Sequence, residues 1–415
     1  MRPISLSWRR WRRLPRIERR GRQMNRLFAK LPISEIASVE RGKFSARPRN
    51  DPRYFGGDIP FLQTGDIARA GRFIVGWDQT LNAQGLAVSR LFPRGTIFMS
   101  IAANVGDVAI STFDAACPDS VVAVIPRNGA DAEWLFQILR HCKDGLSSLA
   151  TQNAQANLSL EKITPFRVPV PPLPEQCKIA EILRTWDEAI EKLEALRAAK
   201  RDRLTGLTQK LLGIGGAFPD RWKQRPLSAI STRVRRQNGG GDHPVMTISA
   251  KSGFRLQSEK FSRDMAGSSV DRYIVLHEGE FAYNKGNSLT APYGCIFPLD
   301  RPTALVPFVY FCFALKADLS REFFAHLFAA GALNHQLSRL INSGVRNDGL
   351  LNLNPEDFFG CKVPVPPADE QSAIASTLTT AKQEIGLLET EIETLTRQKR
   401  GLMQKLLTGE WRVAV

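Results

Sequence analysis

Base edges are read by Arg, Lys, Asn and Gln, and phosphates are held by Arg, Lys, Ser, Thr and Tyr. Arg41, Lys43, Arg47, Arg49, Asn50, Arg53 and Tyr54 form the densest basic stretch of the first half of the chain, in a Pro- and Gly-containing loop. Asn104 sits in an Ala-Asn-Val-Gly turn between two β-like stretches, and Gln152, Asn153 and Gln155 form a polar run. In the second half Arg233, Arg235, Arg236 and Gln237 make the counterpart basic stretch. Asn284, Lys285 and Asn287 belong to the polar turn that follows Tyr283, and Arg346-Asn347 falls in a later loop. These residue types suit contact with a polyanion. They serve equally as solvated surface and turn formers.

Motifs for bond-making chemistry are missing. No G-x-x-x-x-G-K-[ST] loop is present to cradle phosphates, and no Asn/Asp-Pro-Pro-aromatic tetrapeptide of the amino-methyltransferase kind occurs. The six cysteines form no C-x-x-C, and the five histidines show no pair at ligand spacing. Pro219-Asp220 lacks the acid-x-Lys strand of a nuclease and reads as a turn after a helix. Gly239-Gly-Gly241 reads as a flexible loop.

The net charge of +16 over 415 residues points to a polyanionic partner or a basic tail. Residues 1–26 hold ten Arg and one Glu, a surplus of +9. That leader lacks the apolar segment of a secretory signal. It reads as an upstream start or an unstructured arm, with Met24 the more natural beginning. The remaining +7 is uneven: residues 27–157 carry +1 and residues 218–352 carry +6. The second half is therefore expected to supply more of any salt-dependent phosphate binding. No run of 18 apolar residues occurs, which argues against a membrane-spanning helix.

What positions these residues is a duplication. Val168-Pro-Val-Pro-Pro172 with Glu175-Gln176 recurs as Val363-Pro-Val-Pro-Pro367 with Glu370-Gln371, at an offset of 195. The same register aligns Gly206-Leu207 with Gly401-Leu402 and Gln209–Leu212 with Gln404–Leu407. After each motif a heptad frame begins. The first visits Ile179, Leu183, Trp186, Ile190, Leu193, Arg197, Lys200, Leu204, Leu207 and Leu211. The second visits Ile374, Leu378, Ala381, Ile385, Leu388, Ile392, Leu395, Lys399, Leu402 and Leu406. Steps of four and three are a coiled-coil seam. Two long helices are expected, stopped at Gly213 and Gly409 and packed antiparallel about a pseudo-two-fold axis.

Residues 27–157 and 218–352 match each other poorly but share an outline. Each opens on an apolar patch, Leu31–Ile36 and Arg225–Ile230. Each continues with β-like stretches: 60–64, 95–100 and 121–125 in one, 245–249, 279–283 and 294–297 in the other. Each closes on helical sequence, Glu133–Arg140 and Arg321–Ala329, the latter extending toward Ile341. The expected organisation is a basic leader (1–26), a variable domain (27–157), a repeat with helix 1 (158–213), a second variable domain (214–352), and a repeat with helix 2 (353–415). The fold class is α+β: two mixed α/β domains separated by two long helices.

This doubled motif followed by rods resembles the DNA-specificity (S) subunit of type I restriction–modification systems, from about residue 27 to the end. The resemblance implies two target-recognition domains, each reading one half of a bipartite site on double-stranded DNA. It implies rods that set the spacer and dock two methyltransferase (M) subunits, with restriction (R) subunits joining them. It implies no catalysis and no cofactor in this chain; S-adenosylmethionine, ATP and Mg belong to the partners, in the cytoplasm. The Arg-rich leader departs from the pattern. Two other readings stay open: the specificity subunit of a system whose partner fuses methyltransferase and nuclease, and a coiled-coil adaptor that reads no DNA.

Overall fold

The computed structural model describes residues 27–150, 157–213, 219, 221–260, 272–286, 291–341 and 351–415. The leader, Gln152, Asn153, Gln155, Asp220, Asn287, Arg346 and Asn347 lie outside them. The chain divides into two compact units: Met1–Glu194 with Thr390–Val415, and Ala195–Glu389.

Both rods form. Rod 1 is one helix, Leu173–Leu212, and rod 2 is another, Ala368–Thr408. At a rise of 1.5 Å per residue each is about 60 Å long. No position of either heptad frame is exposed. Gly213 (φ 62°) and Gly409 (φ 83°) end the rods in the left-handed region, where a Cβ would be strained. The division between the units falls within both rods, so each unit holds a half of each. Both units contain an antiparallel pairing. In the first, Glu175 meets Arg412 and Asp187 meets Lys399. In the second, Arg201 pairs with Glu389, and Lys200 with Glu384 at 2.7 Å.

In the first unit a five-stranded sheet has the order 37–41, 121–126, 97–100, 108–111, 73–74, antiparallel except for the last pair. Alternate side chains face opposite sides. Ile97, Met99, Val122 and Val124 pack with Trp134 and Leu135 of helix Ala132–His141 and with Leu183 and Leu406 of the rods. Phe98, Ala109, Val121 and Ala123 pack on the other face with Leu62, Ile67 and Phe92. Burial on both faces explains the uninterrupted apolar run Val121–Ile125.

The second unit repeats the pattern with different side chains. Its four-stranded sheet runs 231–233, 311–315, 281–284, 295–298. Phe281, Tyr283, Phe311 and Phe313 face helix Arg321–Ala329 and the rods, with Phe281 and Phe313 stacked at 5.4 Å. Ala282 and Cys312 face Met246, Ile248, Leu276 and Val306. The first unit's inner face is aliphatic and the second's is aromatic. That difference hides the shared topology from sequence comparison.

The duplicated motif does the same job in both units. Val168 pairs with Leu31 in the two-stranded ladder of Ala29–Pro32 and Arg167–Val170; Val363 pairs with Arg225 in that of Lys223–Pro226 and Lys362–Val365. Gln176 accepts from the Asp131 amide (2.9 Å) and donates to the Pro171 carbonyl (2.9 Å). Gln371 accepts from the Ser320 amide (2.9 Å) and donates to the Pro366 carbonyl (2.9 Å). Asp131 and Ser320 cap the helices packed under each sheet. One glutamine thus ties rod, motif strand and domain helix together. The preceding glutamate receives an arginine in each unit: Arg412 forks onto Glu175 (2.8 and 2.7 Å) and Arg221 onto Glu370 (2.7 and 3.0 Å).

Two expectations need correction. The strand read at 60–64 lies upstream, at Phe55–Pro60, and a helix follows at Thr64–Arg69. Asp66 Oδ2 accepts the Gln63 amide at 2.8 Å and fixes that helix start. The helix from Arg321 stops at Ala329 and does not run on to Ile341. Gly331 (φ 76°) turns the chain before a new helix, Asn334–Leu340.

Candidate nucleic-acid interface

In the first unit, Arg41 lies opposite Val122, and Val121 opposite Ser100. The segments 42–54, 117–120 and 101–107 therefore emerge at one end of the sheet. They are bonded there: the Gly42 amide donates to the Val121 carbonyl (2.9 Å), Lys43 to Cys117 (3.0 Å) and Ile101 to Ser120 (3.0 Å). Gly42 permits this approach, since a Cβ there would come within 2.2 Å of the Pro118 carbonyl oxygen.

The basic loop is anchored by aromatic packing. Phe44 is buried against Phe61 (5.1 Å) and edge-on to Tyr54 (6.0 Å), while Lys43, Arg47, Arg49 and Asn50 are exposed. Asp119 organises the arginines: its carbonyl accepts from Arg41 (2.7 Å) and its carboxylate from Arg49 (2.7 Å). Arg47 donates to the Ala46 carbonyl (2.7 Å). Arg53 forks onto Asp51 and lies over the Tyr54 ring, and the guanidinium holds the Asp51 carboxyl below its usual range. The side chains of Lys43, Asn50 and Asn104 make no hydrogen bond or ion pair among the described residues. Asn104 is exposed in the turn after Ala103 (φ 61°). Asn157 and Leu158 are joined to the same end: Asn157 bridges Ala102, and the Leu158 amide donates to the Ile101 carbonyl (2.9 Å).

The second unit is built alike. Arg233 lies opposite Phe313 and Tyr283 opposite Phe311, so the segments beginning at Val234 and Lys285 emerge together. The Leu351 amide donates to the Lys285 carbonyl (2.9 Å), as Leu158 does to Ile101. Arg233 is half-buried over the Phe359 ring at 5.6 Å; burial and then Arg235 lower its pKa. Arg236 is ion-paired to Glu280, and Gln237 bridges Ile274 through its backbone. Asn284 is a turn-former: it donates to the Ile248 carbonyl (3.1 Å) and accepts from the Gly286 amide (2.9 Å). Lys285 lies over the Phe311 ring at 5.4 Å. Arg235 is exposed, with no hydrogen bond or ion pair among the described residues.

Sequence reasoning missed the acids that organise the cations, Asp119 and Glu280, and the structural role of Gln176 and Gln371. The duplication at offset 195 was the signal that could have flagged the glutamines. Among the described residues no group of His, Cys, Asp and Glu could hold a metal. Burial pushes the Cys142 and Cys361 thiols up to about 11, which disfavours a reactive thiolate. No helix among the described residues is long and apolar enough to cross a membrane.

Residues 26–200 match the family model of the type I restriction modification DNA specificity domain. Over that stretch the chain is similar to the type I specificity family. A relative from Methanocaldococcus jannaschii, the type I restriction enzyme MjaIX specificity subunit, is 27% identical over 164 residues, 38% of each chain. The MjaVIII specificity subunit of the same organism is 23% identical over 313 residues, covering 68% of this chain and 71% of the relative. The chain thus spans well under half of the first relative's length and about seven-tenths of the second's. Among solved structures, the type I restriction–modification S subunit of M. genitalium superposes with a TM-score of 0.59 at 15% identity, over 93% of this chain and 98% of that one. That likeness bears on the fold. The family match covers one copy of the specificity repeat; the second motif, 195 residues on, lies beyond it.

Proposed function

We propose that this chain is the non-catalytic, DNA-reading subunit of a type I restriction–modification complex in the cytoplasm. Each unit reads one half of a bipartite site on double-stranded DNA. The rods set the spacer between the halves, and their outward faces dock two M subunits, which R subunits join. The chain binds no cofactor of its own; S-adenosylmethionine serves methylation at adenine in M, and ATP with Mg serves R. The supporting observation is that both units, despite different cores, gather basic and amide side chains at the same end of the same sheet. Among the described residues, the side chains of Lys43, Asn50 and Asn104 in one unit and Arg235 in the other make no hydrogen bond or ion pair, which suits them to bases or phosphates. Arg41, Arg49, Arg53 and Arg236 are held by acids or carbonyls, which suits fixed phosphate contacts.

The test is co-expression with the neighbouring adenine methyltransferase in a methylation-free host, followed by methylome sequencing. A two-part motif with an unspecified spacer is expected. A continuous motif, or none, refutes the two-reader arrangement.

A further inference from the structure

Rods 1 and 2 are copies of one sequence, so an apolar seam alone does not decide which rod pairs with which. The last half of rod 1 shares Gly206-Leu207 and Gln209–Leu212 with the matching residues of rod 2. One seam contact breaks the equivalence. Lys399 and Asp187 are 5% and 6% exposed and form an ion pair in the first unit. Gln137 also donates to Asp187 at 2.7 Å, and Arg140 at 3.3 Å. At the offset of 195, Asp187 corresponds to Lys382 and Lys399 to Leu204. Lys382 is exposed, and Leu204 packs with the apolar cluster of the second unit.

We propose that Asp187 and Lys399 select rod pairing. They make the first half of rod 1 accept the last half of rod 2 and reject the last half of rod 1 from a second copy of the chain. A rod 1–rod 1 pairing would set Asp187 against Leu204 and remove its lysine from the buried seam. A rod 2–rod 2 pairing would set Lys399 against Lys382. The rod 2–rod 2 pairing leaves the buried Lys399 charge unmatched, and the rod 1–rod 1 pairing leaves Asp187 only Arg140 at 3.3 Å and Gln137; losing the partner of a buried charge costs far more than losing a surface pair. One buried polar position is enough to specify partners in coiled coils. The selection is independent of what the loops bind.

The test uses the full chain carrying two different tags. The two preparations are unfolded together, refolded, and assayed for mixed-tag dimers by tandem purification and light scattering. Wild type is expected to refold with a low but measurable fraction of mixed-tag dimer. Asp187→Asn with Lys399→Met removes the charges and keeps an acceptor for Gln137. It is expected to raise the mixed-tag dimer fraction about tenfold, equivalent to about 1.4 kcal/mol of pairing preference. Leu204→Lys gives rod 1 the lysine that Asp187 seeks and is expected to raise exchange with the native pair intact; it decides the matter where the double variant fails to refold. A rise of about threefold or more in either supports the selection, and a smaller change in both overturns it.

Discussion

Gln176→Leu removes a buried polar hub while nearly conserving volume. Gln176 is 1% exposed and bonds the Asp131 amide and the carbonyls of Pro171 and Gly129. Leucine leaves that amide and the buried Pro171 carbonyl without their partner. At roughly 1–3 kcal/mol for each of the two groups left unmade, the loss is about 2–6 kcal/mol. For a unit of this size roughly 2–4 °C accompanies each kcal/mol, so its melting temperature should fall by roughly 4–24 °C. Scanning calorimetry of the full chain checks the shift, with Gln371→Leu as the matched perturbation of the second unit. Methylome sequencing adds a functional readout: Gln176→Leu should degrade one half-site and spare the other. A shift below about 2 °C in both variants would refute the hub role.

Arg412→Ala should destabilise more than Arg221→Ala. The Glu175 side chain is 4% exposed against 26% for Glu370, so about 2–4 kcal/mol is expected for the first and a distinctly smaller loss for the second, measured by denaturant titration. Burial holds His141 and His326 below the usual histidine range, so the fold favours their neutral forms. Their stability contribution is full above the unfolded value of about 6.5 and is lost as pH falls from there through the lower folded values. His326→Asn should flatten that acid-side fall in melting temperature. Lys43→Ala and Arg235→Ala should each weaken DNA binding and, where the lost contact is a phosphate, reduce the salt slope by about 1, read by titration at several salt concentrations. Removing one matched heptad from both rods should change the spacer of the methylated motif and leave its halves unaltered; changed halves with a constant spacer would count against a ruler.

The rods were legible because their signal is local and repeated: each frame position needs only neighbours three or four residues away. Lys399 stood out as a charged interruption, yet its partner Asp187 lies off the frame and 212 residues distant. Strands such as Val121–Ile125 were readable from apolar runs, but their order was not, because the pairings join remote segments. The same limit applies to the interface. Arg49 and Arg236 were identifiable as cations, while the acids that hold them lie 70 and 44 residues away. Phe281 and Phe313 stand where the first unit has aliphatic residues, and this concealed a common sheet.

The second unit is one continuous stretch, 195–389, whereas the first is completed by residues 390–415. On the ribosome, everything the second unit needs emerges before rod 2 is finished. The first unit, made earlier, holds Ile179 and Leu183 without Leu406 and Leu407 to cover them, and Glu175 without Arg412. Its closure waits on synthesis through Val413, whose amide reaches Glu175 at 3.2 Å. The domain translated first is therefore the last to finish folding, and a nascent chain carries its exposed apolar seam for most of its time in translation.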